Sequence, residues 1–239
     1  MTQRYFVESP ISGPEAVLAD AEAHHLAHVM RLKAGAEVVL FDGGGAEFLA
    51  RVENVGKRET RLEVLERREI SRELPRRITV CTALPRGDRQ KWLIEKAVEI
   101  GVGRLVPLHT ERAVVVPDGD TCVKLRRAVI EASKQCGRNV LLEIAEPAPL
   151  RDAVQRGAGG PLSFLAQPGS ELSLAAAARE AATMPNEPAE FFIGPEGGFS
   201  PAEEGLILES GRRGINLGNR ILRIETAVVL CGAWGALAE

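Results

Sequence analysis

Apolar and polar positions follow two different periods along this chain. Between residues 36 and 70 they alternate: AEVVLF runs into the turn signal DGGG, and EFLARVENV and RLEVLE follow. That is the period of short strands joined by tight turns, and in so short a segment it predicts a small β-barrel. Just before it, AEAHHLAHVMRLKAG reads as a short helix ending at Gly35. SRELPRR, at 71–77, interrupts the pattern with a proline and charges, which places a domain boundary there and divides the chain into 1–74 and 75–239.

Beyond the boundary, strand-like and helix-like segments take turns. RRITVCTAL reads as a strand, and RQKWLIEKAVEIG as a helix with Leu93, Ile94, Ala97 and Val98 on one face. RLVPLHT is a strand, 121–136 a helix, LLEI a strand, 150–157 a helix, and LSFLA a strand. ELSLAAAAREAA, SPAEEGLILESG and ETAVVLCGAWGALAE read as helices, with the strands FFI and INL between them. Such alternation predicts an α/β domain built on a mostly parallel sheet.

Composition changes this picture little. The 239 residues are 45% hydrophobic and 26% charged, ordinary for a globular protein. No apolar run reaches the roughly 18–20 residues that span a bilayer. MTQRYFVESP lacks the basic-then-apolar pattern of a secretory signal. A cytoplasmic protein with no membrane partner is expected. Cys81, Cys122, Cys136 and Cys231 are scattered, and His24, His25 and His28 have no cysteine near them in sequence, so no metal site is expected.

Charge matters more. The net value is −3, but it divides into −3 for residues 1–75, +6 for 76–140 and −6 for 141–239. A basic central stretch of this kind is a footprint of phosphate binding, or of solvated helix faces.

Ligands of open α/β sheets bind beyond the carboxyl ends of the strands. Three loops qualify: Ala166-Gln167-Pro168 after LSFL, Gly194 to Gly198 after FFI, and Gly218 to Arg223 after INL. The middle one, GPEGG, lacks the lysine of a phosphate-binding loop and does not match G-x-G-x-x-G. Ser200, Pro201 and Glu203 have the spacing of a capping box that starts the next helix. Gly194, Gly197 and Gly198 exceed what one turn needs, and they let a flat ligand approach the backbone. With Glu196 among them, that ligand is not polyanionic. LGNRILRIETA sets Arg220, Arg223, Glu225 and Thr226 around Ile221, Leu222 and Ile224, an apolar pocket with a few polar groups that suits an adenosine-type ligand. Arg127, Glu131, Gln135 and Arg138 share one helix face, either solvated or turned toward substrate. No nucleophile–base pair stands out, which argues against covalent catalysis.

GPEGGFSPAEE and LGNRILRIETA together resemble the C-terminal signature of the RsmE-type 16S rRNA (uracil-N3) methyltransferases, of the SPOUT class. RYFV, HHLAHVMRLKAGAEVVLFDGGG, KWLIEKAVEIGV and EASKQCGRN are similar to other motifs of that family, in the same order. The family usually has threonine where this chain has Ile224. The resemblance implies a SPOUT-type parallel sheet with a C-terminal trefoil knot, a small N-terminal PUA-like β-barrel, and a homodimer. It implies S-adenosyl-L-methionine as methyl donor, held by Leu165, Ala166, Gly194, Pro195, Glu196, Gly197, Gly198, Leu217, Gly218, Ile221, Leu222 and Thr226. The implied target is N3 of one uridine of 16S rRNA (U1498 in the family's rRNA nomenclature) within the small ribosomal subunit. Arg223 and Arg138 are the candidates for holding the uracil oxygens, and Glu225 is the candidate orienter or base. Arg4, Arg31, Arg86, Lys91 and Arg127 are the candidate RNA contacts.

If these arginines and lysines meet phosphates, affinity for RNA falls steeply with salt. Filter binding across a salt series is expected to give a steep linear slope in the logarithmic plot, and a flat curve would remove the phosphate contacts from the account.

Overall fold

The computed structural model describes residues 3–56, 58–156 and 159–237. The chain forms two compact units: Met1–Glu73 with Ile130–Leu141, and Leu74–Val129 with Leu142–Glu239.

The first unit contains β1 (Arg4–Phe6), β2 (Glu15–Ala19), α1 (Asp20–His24), β3 (Glu37–Phe41), β4 (Glu47–Val55) and β5 (Glu59–Arg68). The strands make one curled sheet in the order β1-β3-β4-β5-β2, antiparallel except where β1 runs parallel to β3. The alternation seen in the sequence is realised: β2 buries Ala16 and Leu18 and exposes its other three residues, and Val38, Leu40, Ala50, Val52 and Leu62 join them in one core. The helix expected to reach Gly35 ends earlier. After α1 the backbone widens into a π turn, His25–Val29. Arg31 then takes a left-handed φ of 53°, and the Leu32 N–H closes the end by donating to the Leu26 carbonyl at 3.1 Å. That bond fixes the helix end several residues before the glycine that suggested it.

The second unit contains β6 (Ile78–Thr82), α2 (Arg89–Glu99), β7 (Arg104–His109), α3 (Gly119–Cys136, its end from Ile130 counted with the first unit), β8 (Glu143–Ile144), β9 (Ala148–Pro149) and α4 (Leu150–Gln155). It continues with β10 (Ser163–Ala166), β11 (Leu172–Ser173), α5 (Leu174–Ala181), β12 (Ala189–Ile193), α6 (Pro201–Glu209), β13 (Arg213–Asn216) and α7 (Ile224–Leu237). The sheet runs β11-β13-β10-β12-β6-β7-β8, with β9 also on β7, and each of these ladders is parallel. Strands covered on both faces lose their alternation, and β6, β10 and β12 are buried almost throughout.

The final helix is the anchor of this unit. Trp234 meets Phe191 edge-on at 5.3 Å between ring centroids and Phe164 at 6.0 Å. The Arg76 guanidinium lies 5.5 Å from the Trp234 ring and donates to the Ala181 carbonyl at 2.9 Å. Gly232 lets α7 approach closely, since a Cβ there would overlap Ile100 and stand 3.0 Å from Val102 Cγ2. No helix among the described residues is long and apolar enough to cross a membrane.

Two outcomes follow from this packing and from the buried charges. Gly232→Val is expected to cost about 1–3 kcal/mol by overpacking, read from chemical denaturation. In the first unit, Glu47 accepts from Arg4 at 2.8 Å and from Arg72 at 3.3 Å. Burial pushes the Glu47 carboxyl up, but the Arg4 hydrogen bond and charge, with Arg72 added, hold it below the ordinary 4.5. Stability from such a group is present above its unfolded pKa and is lost as pH falls through the lower folded value. Glu47→Gln is therefore expected to lower the urea midpoint at neutral pH, with the gap to wild type narrowing as pH drops below 4.5.

Candidate active site

Because β13, β10 and β12 are parallel neighbours, their carboxyl ends lie side by side and the three loops that follow them gather at one edge of the sheet. Between them is a cleft of about 290 Å³. Its walls come from Ala166, Gln167 and Pro168 of the first loop, Ile193 to Phe199 of the second, and Leu217, Gly218, Arg220, Ile221 and Leu222 of the third. Glu204, Ile224 and Ala227 complete it from the starts of α6 and α7.

The middle loop is built by its own backbone as much as for a ligand. Gly198 has φ 69°, a conformation that side chains rarely adopt. A Cβ at Gly194 would stand 3.0 Å from the Phe199 nitrogen, because the loop folds back on itself. The Gly198 N–H donates to the Pro195 carbonyl at 2.8 Å. The capping box read from the sequence is present: the Ser200 hydroxyl accepts from the Glu203 N–H, and the Glu203 carboxylate accepts from the Ser200 N–H. Arg112 braces the loop from outside, donating to the Gly197 carbonyl at 2.9 Å and to that of Phe199 at 3.3 Å. In the third loop Gly218 has φ 114°, and its N–H donates to Asn216 Oδ1 at 2.8 Å. A Cβ built on Gly198 or Gly218 meets nothing within 4 Å, so each glycine leaves open space along the wall.

Charge in and near the cleft is mixed. The Gln167 amide donates to Glu204 at 2.8 Å, joining the first loop to α6. Arg89, the first residue of α2, donates to Glu196 at 2.6 Å and also lies 3.5 Å from Glu225. Burial raises the Glu196 carboxyl, but backbone hydrogen bonding and Arg89 bring it below its ordinary value. The carboxylate that made the loop look wrong for a phosphate is thus already paired. Glu225 is 6% exposed, and its Oε2 has no hydrogen-bond partner among the described residues. A mainly apolar wall with few fixed polar groups, two carboxylates, Arg220 and no lysine among its described residues fits a nucleoside-like ligand.

The cleft gathers most of the residues expected at a cofactor site. Ala166, Gly194, Pro195, Glu196, Gly197, Gly198, Leu217, Gly218, Ile221 and Leu222 line it; Leu165 is buried in the core beside it, and Thr226 is exposed outside it. Arg223 is exposed at the cap of α7, where its carbonyl accepts from the Ala227 N–H. Arg138 is in the first unit, 3% exposed and forked onto Glu73 at 2.8 and 2.5 Å. Arg4, also in the first unit, is paired with Glu47 and donates to Asn139 at 2.6 Å. Arg31, Arg86, Lys91 and Arg127 are exposed. Glu131, on the same helix face, pairs with Lys134 at 3.2 Å. Ile193, Phe199, Glu204 and Ala227 line the cleft without a signal in the sequence, whereas Arg220 lies there as the loop LGNRILRIETA implies.

Comparison with known proteins agrees with this geometry. The sequence profile of an RNA methyltransferase domain matches residues 72–235, and that of an RNA methyltransferase PUA domain matches residues 18–65. The ribosomal RNA small subunit methyltransferase E of Mycobacterium bovis is 31% identical, over 98% of this chain and 92% of its own length. The protein of that name from Bacillus subtilis is 28% identical, over 94% and 92%. The crystal structure of the Neisseria gonorrhoeae ribosomal RNA small subunit methyltransferase E bound to S-adenosyl methionine superposes with a TM-score of 0.87 at 28% identity, covering 98% of this chain and 96% of that one. With its PUA-like first unit, its parallel second unit and its cleft at the strand ends, the chain belongs to the RNA methyltransferase family that includes the ribosomal RNA small subunit methyltransferases E.

Proposed function

We propose that this protein methylates N3 of one uridine of 16S rRNA in the small ribosomal subunit, with S-adenosyl-L-methionine as donor. The observation that carries the reading is the cleft, where three loops, two of them with glycines in the wall, meet over a mainly apolar surface with no lysine among its described residues. The relatives named for small-subunit rRNA methylation, one of them crystallised with that cofactor, support it. When bound, S-adenosylmethionine supplies an electrophilic methyl group carried on a sulfonium.

The residues to hold it are those of the three loops. Pro168, Leu217 and Leu222 offer apolar surface, and Gly198 and Gly218 leave room beside the backbone. The chain must also stabilise charge on the target base. Uridine N3 holds its proton at neutral pH, and its removal leaves negative charge on O2 and O4. Arg223, whose guanidinium carries only donors and which is exposed at the start of α7, is the donor proposed for those oxygens. Arg220, in the cleft wall, adds a second positive group on the same loop. Glu225 is the orienter of this site. Arg138, committed to Glu73, enters the proposal as a second oxygen-holding arginine only if that pair opens.

The larger assignments belong to the same proposal: residues 1–74 as an RNA-binding PUA-like barrel, 75–239 as the methyltransferase domain with its C-terminal segment threaded into a trefoil knot, and a cytoplasmic homodimer. Arg31, Arg86, Lys91 and Arg127, exposed, are the proposed phosphate contacts, with Arg4 beside Glu47 as the remaining candidate.

Mapping methylated nucleotides on small-subunit RNA from a strain lacking the gene, with and without its restoration, tests the reaction. An N3-methyluridine that depends on the gene is expected, and its absence from the complemented strain's RNA would overturn the assignment. Arg223→Ala is expected to slow single-turnover methylation by about 100-fold at unchanged cofactor affinity. A wild-type rate would remove its proposed role.

A further inference from the structure

Arg89 occupies a position that helix energetics argue against. It opens α2, where the helix dipole presents positive charge and an acid would be the favourable residue; the first turn holds no acid, and the N-cap, Asp88, makes no side-chain capping bond. The turn that delivers it is firmly built: Gly87 has φ 63°, the Gln90 N–H donates to the Gly87 carbonyl at 3.1 Å, and the Gln90 side chain donates to the Pro85 carbonyl at 2.8 Å. β6 lies beside β12, so the turn after β6 emerges at the same edge of the sheet as the loop after β12. One guanidinium nitrogen, Nη2, meets Glu196 Oε1 at 2.6 Å, and the other, Nη1, meets Glu225 Oε1 at 3.5 Å. Two carboxylates from two different segments, the cleft loop and the first turn of α7, are joined by this one side chain.

Glu225 supplies the second, independent observation. Its side chain is 92% buried, and Oε2 has no hydrogen-bond partner among the described residues. An unpaired buried carboxylate oxygen is costly, and an acid in the first turn of a helix needs no burial to benefit from the dipole. Its one charged neighbour in the described structure is Arg89, at the edge of the cleft, and Glu225 itself does not line the cleft.

We infer that Arg89 is a positioning residue, a strap between the glycine loop and α7, and that Glu225 acts through Arg89 on the cofactor cleft rather than on the base to be methylated. This rests on the proposed function and deepens it, because it names what Glu225 orients. The fork matters as much as the charge. A planar guanidinium reaches two carboxylates at once, which a lysine ammonium on a flexible stem does poorly.

Two experiments test it. The first uses the protein without cofactor or RNA and compares amide hydrogen exchange in wild type and R89M. Exchange at Glu196–Phe199 and at the first turn of α7 is expected to rise together, with β6 and β7 keeping their protection. A rise in only one segment, or in neither, overturns the strap. If R89M lowers protection everywhere, R89K, which keeps the charge and loses the fork, carries the same comparison.

The second is calorimetric titration of S-adenosylmethionine into wild type, R89M, E225Q and the double variant. Each single variant is expected to bind about tenfold more weakly, and the double no more weakly than the worse single, as for residues acting as one unit. At saturating cofactor, E225Q is expected to keep the wild-type pH profile for single-turnover methylation. Undiminished cofactor affinity in R89M, or an E225Q rate defect at saturation with a shifted pH profile, overturns the inference. If wild type itself fails to bind S-adenosylmethionine, the proposed function falls, and the exchange comparison still decides whether the strap exists.

Discussion

Because β13, β10, β12 and β6 run side by side in one direction, the chain must cross back over the sheet after each strand and leave each at the same edge. That constraint explains most of what the second unit can do. Every loop that follows a strand falls at one place, so short segments far apart in sequence, near residues 167, 196 and 220, share one cleft. It also requires that both faces of the sheet be covered. α7 covers one of them through Trp234 against Phe164 and Phe191, and the first turn of that helix carries Ile224 into the cleft wall. Packing and site are therefore one arrangement: the helix that holds the sheet together also sets one side of the pocket.

Electrostatics in this chain act in pairs. The basic stretch at 76–140, read alone, suggests an uninterrupted positive surface. Arg76 is instead buried over Trp234, Arg104 pairs with Glu143, Lys96 with Glu99, and Arg138 with Glu73. Most such exposed pairs contribute little to stability, but they remove charge from the pool available to a polyanion. Arg112 and Arg89 show the other use of a guanidinium. One donates to the carbonyls of Gly197 and Phe199, the other to the Glu196 carboxylate, and together they fix a loop that has few side chains of its own to pack.

Local signals in the sequence were read well where a single short-range interaction decides the outcome. The Ser200–Glu203 capping box formed as its spacing demanded, because both of its hydrogen bonds lie within one turn. The alternation of β2 to β5 became a one-sided sheet for the same reason. Signals that depend on a partner were read less well. Gly35 pointed to a helix end that a bond between Leu32 and Leu26 had already fixed. Gly194 suggested room for a ligand, whereas the Phe199 backbone takes up that space. Of the two arginines of LGNRILR, Arg220 lines the cleft while Arg223 stands at the start of α7, a division that spacing does not give.

The sequence by itself determined the two periods and hence the two kinds of unit, the start of α6, and the family to which the two C-terminal motifs belong. The periods and the helix start are written in spacing and the family resemblance in the residues of the motifs, and both survive without a fold. Tertiary structure alone decided which charges are free. Glu196 reads as an unpaired acid in a glycine loop, and it is Arg89, 107 positions away, that pairs it. Glu225 reads as a candidate orienter or base, and the fold buries it beside the same arginine. An ion pair across that separation leaves no periodic trace, because it depends on where two strand ends meet and not on the residues around either partner.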